Sequence, residues 1–235
     1  MSQLIKIEDV YKIYKASVYE TKALDGIDLT IDEGEIVVIL GPSGSGKTTL
    51  LNCISGLDKV TSGKIIYEGK NIAKYSDRKM TKFRKKNLGF IFQTYNLLEH
   101  INVYENVLVG ASLGKSKANV MEIIKTVDLY RHRKKYMHEL SGGEQQRVSI
   151  ARALAKEPKV MFCDEPTGAL DEITGKKVLK TLVEANEKFN TTMIIVTHNP
   201  GIALIGDRVI KMNSGQIVEQ NINKKRISPL EIPWG

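Results

Sequence analysis

The stretch GPSGSGKT, Gly41 to Thr48, limits what this chain can fold into more than any other feature. It follows the apolar run EIVVIL and leads into TTLLNCISGL, whose apolar spacing predicts a helix. Strand, glycine-rich turn and helix together meet the contextual conditions for a phosphate-binding loop of the pattern G-x-x-x-x-G-K-[ST]. The reason is steric first. Gly44 and Gly46 permit close backbone approach that a Cβ would forbid, so the loop Gly41, Pro42, Ser43, Gly44, Ser45, Gly46 can turn successive N–H groups onto phosphate oxygens. The start of the helix adds a partial positive charge. Lys47 is then placed to reach the β- and γ-phosphates, and the Thr48 hydroxyl, with Thr49 beside it, to ligate Mg²⁺.

Phosphoryl chemistry also needs an acid for the metal and another for the attacking water. VMFCDEP supplies both after an apolar run: Asp164 is expected to hold Mg²⁺, and Glu165, pointing the other way along the pleat, to polarise water. A pair of solvated acids at a strand end would be unremarkable alone; its company is the phosphate loop.

The rest of the pattern sets the fold class. LIKIEDVYKIY, GIDLTID, EIVVIL and GKIIYEG read as short strands and suggest a partly antiparallel sheet near the loop. From Ser76 to Ala155 the pattern is mainly helical, an inserted subdomain placed at roughly 94–155. VMFCDEP, TTMIIVTHN and RVIKMNSGQIVE return to strand, with the helical period of TGKKVLKTLVEANEKF between the first two. Strand, helix, strand is a βαβ unit, so the class is α/β, one domain over 1–223 and a tail over 224–235. With 235 residues and 42% hydrophobic content such a unit can bury a substantial core.

No apolar run approaches the roughly 18 to 20 residues that span a bilayer, and a soluble, cytosolic chain is expected unless a partner anchors it. Cys53 and Cys163 lie in apolar segments without a CxxC spacing, which predicts buried reduced thiols. A net charge of +8 fits nucleic acid, an anionic surface or a polyanionic ligand, and much of it sits in runs that read as solvated faces, such as KYSDRKMTKFRKK.

LSGGEQQRVSIARAL, Leu140 to Leu154, resembles the signature of the ATP-binding cassette family. A Ser-Gly-Gly turn at a helix start is a second anion site on one chain. The resemblance implies a P-loop NTPase with a RecA-like core, an antiparallel β subdomain and an inserted helical subdomain. It implies that two cassettes pack head to tail around two ATP molecules, so that Ser141, Gly142 and Gly143 of one chain meet the γ-phosphate held by Lys47 of the other. Tyr14 looks like the aromatic that stacks on adenine, with Tyr11 competing. Gln93 looks like the glutamine that contacts Mg²⁺ and the attacking water. GALD, Gly168 to Asp171, resembles the loop that crosses to the other subunit, and His198 the switch histidine at the γ-phosphate.

Within the family the motifs are similar to the branch of macrolide-exporter, lipoprotein-releasing and FtsE cell-division ATPases, with bacitracin- and peptide-resistance ATPases near it. That implies a separate FtsX-like permease, a homodimer of cassettes at the cytoplasmic face of the membrane, and room for an extracytoplasmic accessory protein. QTYNLLEHINVYENV, with Tyr95 and Glu99, departs from the usual pattern and is read as variation at the permease docking surface. A cassette acting on nucleic acid or ribosomes is the rival. The short interval between Lys47 and Ser141 and the single cassette speak against it. The tail NINKKRISPLEIPWG either packs on its own domain, frays, or anchors the partner cassette through Trp234.

Overall fold

The computed structural model describes residues 2–15, 19–114 and 118–234. Its strands are β1 (Gln3–Lys15), β2 (Glu20–Asp32), β3 (Ile36–Leu40), β4 (Ser62–Tyr67), β5 (Lys70–Asn71), β6 (Leu88–Ile91), β7 (Val160–Asp164), β8 (Thr192–Thr197), β9 (Arg208–Asn213) and β10 (Gln216–Ile222). The helices are α1 (Lys47–Ile54), α2 (Asp77–Asn87), α3 (Val103–Gly114), α4 (Val120–Thr126), α5 (Gly142–Leu154) and α6 (Glu172–Phe189).

Two sheets result. One is antiparallel, in the order β2-β1-β4-β5; the other runs β10-β9-β3-β8-β7-β6 and is parallel except for its β9–β10 edge. Every residue of β3 is buried, which is why IVVIL shows no polar alternation. Its pleat divides those residues between two cores. Val37 and Ile39 face the antiparallel sheet and α1, while Ile36, Val38 and Leu40 join the core that also takes residues of α3, α4, α5 and α6. β7 and β8 do the same, with Phe162 and Ile194 on one side and Cys163 and Ile195 on the other. Each such Ile contributes roughly 2 kcal/mol or more through its burial. Both cysteines are buried free thiols, and burial pushes the Cys53 thiol up to about 12.

Three local expectations need correction. The span from Ser76 to Ala155 is not helical throughout: Leu88–Ile91 forms β6, paired in register with β7 from Leu88↔Val160 to Ile91↔Cys163. Four residues are too few for a readable period, and their strand state comes from a partner far along the chain. RVIKMNSGQIVE is a hairpin, with Ser214 at φ 47 and Gly215 at φ 79 in its turn. Finally, Asp164 and Glu165 are not separated by strand pleat. β7 ends at Asp164, and Glu165 turns out of it at φ 48, its N–H bonded to Val196 O at 2.9 Å.

The basic run around α2 behaves as a solvated face, since no residue of that helix is buried. Past β10 the tail packs on its own domain: Arg226 pairs with Asp207 and Ile232 is 1% exposed. Among the described residues no helix is long and apolar enough to cross a membrane.

Candidate functional site

Five parallel strands put their carboxyl ends on one edge of the main sheet, and in such sheets that edge is where ligands bind. β3 delivers the loop Gly41 to Gly46. β6 ends two residues before Gln93, β7 ends at Asp164, β8 ends one residue before His198, and β9 ends one residue before Ser214. Strand direction therefore gathers groups scattered over more than half of the sequence.

The loop relies on glycine conformations and is open. Gly44 (φ 79) and Gly46 (φ 97) are left-handed. A Cβ on Gly46 would run into Ala23 O, whereas the space outside Gly44 is free within 4 Å. Lys47 is 8% exposed, and its ammonium donates to Gly41 O at 2.8 Å and Pro42 O at 2.9 Å, a chelate that holds the cation over the loop. Ser45 Oγ is buried and finds no hydrogen-bond partner among the described residues. An orphaned hydroxyl costs free energy unless a ligand satisfies it, so the loop fits a polyphosphate. The hairpin turn braces it from behind, with Gly215 N–H donating to Ser45 O at 3.0 Å and Asp25 N–H to Gly215 O at 2.9 Å. Thr21, Lys22, Ala23, Ser214 and Gly215 share the cleft with Ser43 to Thr49 and Glu165. Sequence reasoning missed these flanking residues. RVIKMNSGQIVE reads as strand in the sequence, and the approach of its Ser214–Gly215 turn to the loop is set by strand order.

The two acids have separate surroundings. Thr48 Oγ1 donates to Asp164 Oδ1 at 3.3 Å. Burial raises the Asp164 carboxyl above its ordinary range and the charge of Glu165 adds to this, against the opposing effects of Thr48 and Lys47. One carboxylate and one hydroxyl beside a phosphate site is the modest protein share that Mg²⁺ requires, the remaining ligands being water and phosphate. The donor set thus fits Mg²⁺. Glu165 faces elsewhere: its Oε1 lies 2.9 Å from His198 Nδ1, and its Oε2 accepts from Thr197 Oγ1 at 3.2 Å. Thr197 also accepts from Asn199 N–H at 3.1 Å, a support the sequence did not disclose. Gln93 is the nearby neutral group. A Cβ placed on Gly168 would lie 3.1 Å from Gln93 Nε2 and 3.4 Å from Glu165 Cβ, while Gln93 itself lines the neighbouring cleft with Tyr95 and Gln145 rather than that of the phosphate loop.

Of the two aromatic candidates, Tyr14 stands beside Thr49 of α1. Its hydroxyl donates to Asp58 Oδ2 at 2.7 Å, and the Lys12 ammonium lies 4.6 Å from its ring centroid. Tyr11 instead packs its hydroxyl toward Gly26 on β2.

The signature turn is built differently. Ser141 caps α5 and forms a reciprocal box with Glu144: Ser141 Oγ and N–H both donate to Glu144 Oε2, at 2.9 and 2.8 Å, while Glu144 N–H donates back to Ser141 Oγ. His132 Nδ1 lies 2.8 Å from Glu144 Oε1. Gly142 and Gly143 have packing reasons of their own. A Cβ on Gly142 would meet the Tyr95 hydroxyl, and one on Gly143 would overlap the Thr174 methyl. Asp171 caps α6 by accepting from Thr174 N–H at 3.1 Å, and hydrogen bonds from Thr174 hold its carboxyl below the usual range. Gln146, fully buried, donates to Pro166 O at 2.7 Å and Phe92 O at 3.4 Å, tying α5 to the segments that carry Glu165 and Gln93. The clefts at Ser141 and at the phosphate loop share no lining residue, so the structure does not bring Ser141 to Lys47 within one chain.

Comparison with known proteins agrees with this geometry. The ABC transporter family profile matches residues 24–168. A putative ABC transporter ATP-binding protein of Mycoplasma genitalium is 46% identical over 236 residues, covering 98% of this chain and 50% of that protein. The chain spans about half the length of the first such curated relatives. The bacitracin export ATP-binding protein BceA of Halalkalibacterium halodurans is 40% identical, covering 92% of this chain and 88% of that one. Among solved structures, the ATP-binding cassette MJ0796 in a dimeric post-hydrolysis state with ADP and Pi superposes with a TM-score of 0.83 at 37% identity, over 93% of this chain and 98% of that one. A second, cbiO1 from Clostridium perfringens, part of the complex cbiONQ, reaches a TM-score of 0.84 at 33% identity, over 98% and 90%. The chain belongs to the ABC transporter family and has the fold of its ATP-binding cassettes.

Proposed function

We propose that the chain is the ATPase subunit of an exporter, closing on a second cassette when ATP binds and driving a separate FtsX-like permease. The observation that carries the reading is the meeting of Thr48 with Asp164 at 3.3 Å while the adjacent Glu165 turns to His198. One acid serves the metal side of a triphosphate and the other is left for water.

In this reading Lys47 leaves the Gly41 and Pro42 carbonyls for the β- and γ-phosphates, and Ser45 Oγ gains the partner it lacks. Thr48 and Asp164, with Gln93, would hold Mg²⁺, which would supply charge neutralisation at the phosphoryl oxygens. Glu165 accepts a hydrogen bond from the attacking water and orients it in line, with Thr197 fixing one carboxylate oxygen. His198, 67% exposed at its side chain, is free to swing from Glu165 to the γ-phosphate. Tyr14 offers its ring to adenine. Ser141, Gly142, Gly143 and Asp171 act on the nucleotide of the opposing chain. Because ATP bound to one chain touches the other only in the closed pair, it acts as a glue, and hydrolysis releases it.

The names of relatives support the export class: BceA is a bacitracin export ATP-binding protein, and the MJ0796 cassette is known as a dimer. The domain reading of 1–223 with a helical insert, and peripheral attachment to the membrane through the permease, belong to this proposal.

The test is affinity capture of the tagged Glu165→Gln chain with Mg-ATP from detergent-solubilised membranes, with mass spectrometry of the partners. An integral membrane chain with a large extracytoplasmic domain is the expected result. Recovery of ribosomes or nucleic acid alone would overturn the transport reading while leaving the ATPase in place.

A further inference from the structure

The tail from Asn223 to Trp234 is held at intervals along its length. Asn223 Nδ2 donates to Ala203 O at 2.9 Å and to Gly206 O at 2.8 Å. Arg226 Nε donates to Asp207 Oδ1 at 2.7 Å and its Nη1 to Asn186 Oδ1 at 2.7 Å. Ile232 is buried in the core shared with α6.

The two residues that follow fill two seats made by missing side chains. The Trp234 indole occupies the space where a Cβ on Gly175 would stand, in α6. The Pro233 carbonyl oxygen occupies the corresponding space at Gly201, just past β8. In both cases a Cβ would come closer than van der Waals contact permits.

These seats lie under the two elements that the proposed function needs to keep in register. Gly175 is one turn past the Asp171 cap, its N–H bonded to Asp171 O at 2.8 Å, and its neighbour Thr174 presses on Gly143 of the signature turn. Gly201 N–H donates to Asn199 Oδ1 at 2.9 Å, Asn199 N–H to Thr197 Oγ1 at 3.1 Å, and Thr197 Oγ1 to Glu165 Oε2 at 3.2 Å. We propose that the tail is a positioning strap: Trp234 and Pro233, wedged into Gly175 and Gly201, fix the spacing between the α6 start that carries Asp171 and the turn that supports Glu165 and His198. The strap acts through those residues and touches no substrate. It rests on the reading that Asp171, Glu165 and His198 serve the nucleotide sandwich.

The glycine seats give a test that plain destabilisation cannot imitate. Gly175→Ala favours an isolated helix, yet here it expels the indole. ATPase kinetics of the full chain are measured well below the unfolding midpoint for Trp234→Ala, Gly175→Ala and the pair. Each single change is expected to lower kcat about tenfold, the scale of a lost positioning contact, with the KM for ATP unchanged. The double variant is expected to lose no more than either single one, because both break the same contact. A wild-type kcat in both single variants, or losses that multiply in the double variant, would overturn the strap. Glu165→Gln in the same assay separates the two claims. Wild-type turnover there sinks the underlying site reading; a dead Glu165→Gln beside fully active Trp234→Ala and Gly175→Ala sinks the strap alone.

Discussion

The phosphate loop and the signature turn are both helix starts preceded by glycine or serine, yet one is left unsatisfied and the other closes on itself. At the loop, Ser45 Oγ lacks a partner among the described residues and the Lys47 ammonium donates to the Gly41 and Pro42 carbonyls. At the signature, Ser141 spends its hydroxyl and its N–H on Glu144, and Glu144 in turn faces His132. The first is ready to bind a polyanion. The second must turn its hydroxyl proton away from Glu144 Oε2 before it can donate to a phosphate, while the two backbone bonds of the capping box can stay. Under the proposed function the difference implies an order of events, in which nucleotide settles on the loop of one chain first and the signature of the other engages afterwards.

The largest expected effect comes from removing the group that handles water. Glu165→Gln should retain ATP binding and lower kcat by about 10²- to 10⁴-fold, the range for loss of a general base; turnover by stopped assay and affinity by equilibrium binding check both halves. Next comes the loop itself. Lys47→Ala removes a charged hydrogen-bond donor, so ATP affinity should fall by roughly 10- to 100-fold, corresponding to about 1.5–3 kcal/mol. If calorimetry finds the affinity intact, the loop is not the primary site and the comparison collapses.

Ser141→Ala should leave ATP affinity of the single chain alone, lower turnover, and cost about 1 kcal/mol of stability through loss of the α5 cap. A loss of single-chain affinity would mean that the two anion sites are not separate. The smallest effect is a pH dependence. Burial pushes the Glu144 carboxyl up, but the hydrogen bonds from Ser141 and the nearby His132 and Arg147 outweigh it and hold the group below its usual range. With the folded pKa depressed, the contribution to stability is present above the unfolded pKa and is lost as pH falls through the folded one. Glu144→Gln should lower the thermal-unfolding midpoint at neutral pH, where the contribution is present, and converge with the parent chain in acid, so that the acid limb flattens.

Much of this was legible in the residues because it is local. A strand, a glycine turn and a helix adjoin in sequence around Lys47, and the cap serine precedes its glutamate by one helical turn at Ser141. What could not be read depends on distant partners. The four residues of β6 become a strand through β7. Glu165 diverges from Asp164 through a left-handed turn rather than the pleat, and its orientation depends on Thr197 from another strand. Trp234 stood out as the one tryptophan, but its seat at Gly175 lies in a helix whose glycine reads, in isolation, as a weakness. Gln146 looks like any helical glutamine until the carbonyls of Phe92 and Pro166 are seen to converge on it.

The central claim is that the open loop of one copy is completed by the closed signature of another. Sedimentation velocity of the Glu165→Gln chain with saturating Mg-ATP tests it most directly. The account predicts a dimer that appears with ATP, retains one nucleotide per chain, and is lost when Ser141→Arg is added. A nucleotide-saturated species that stays at the 26.3 kDa monomer mass would contradict it.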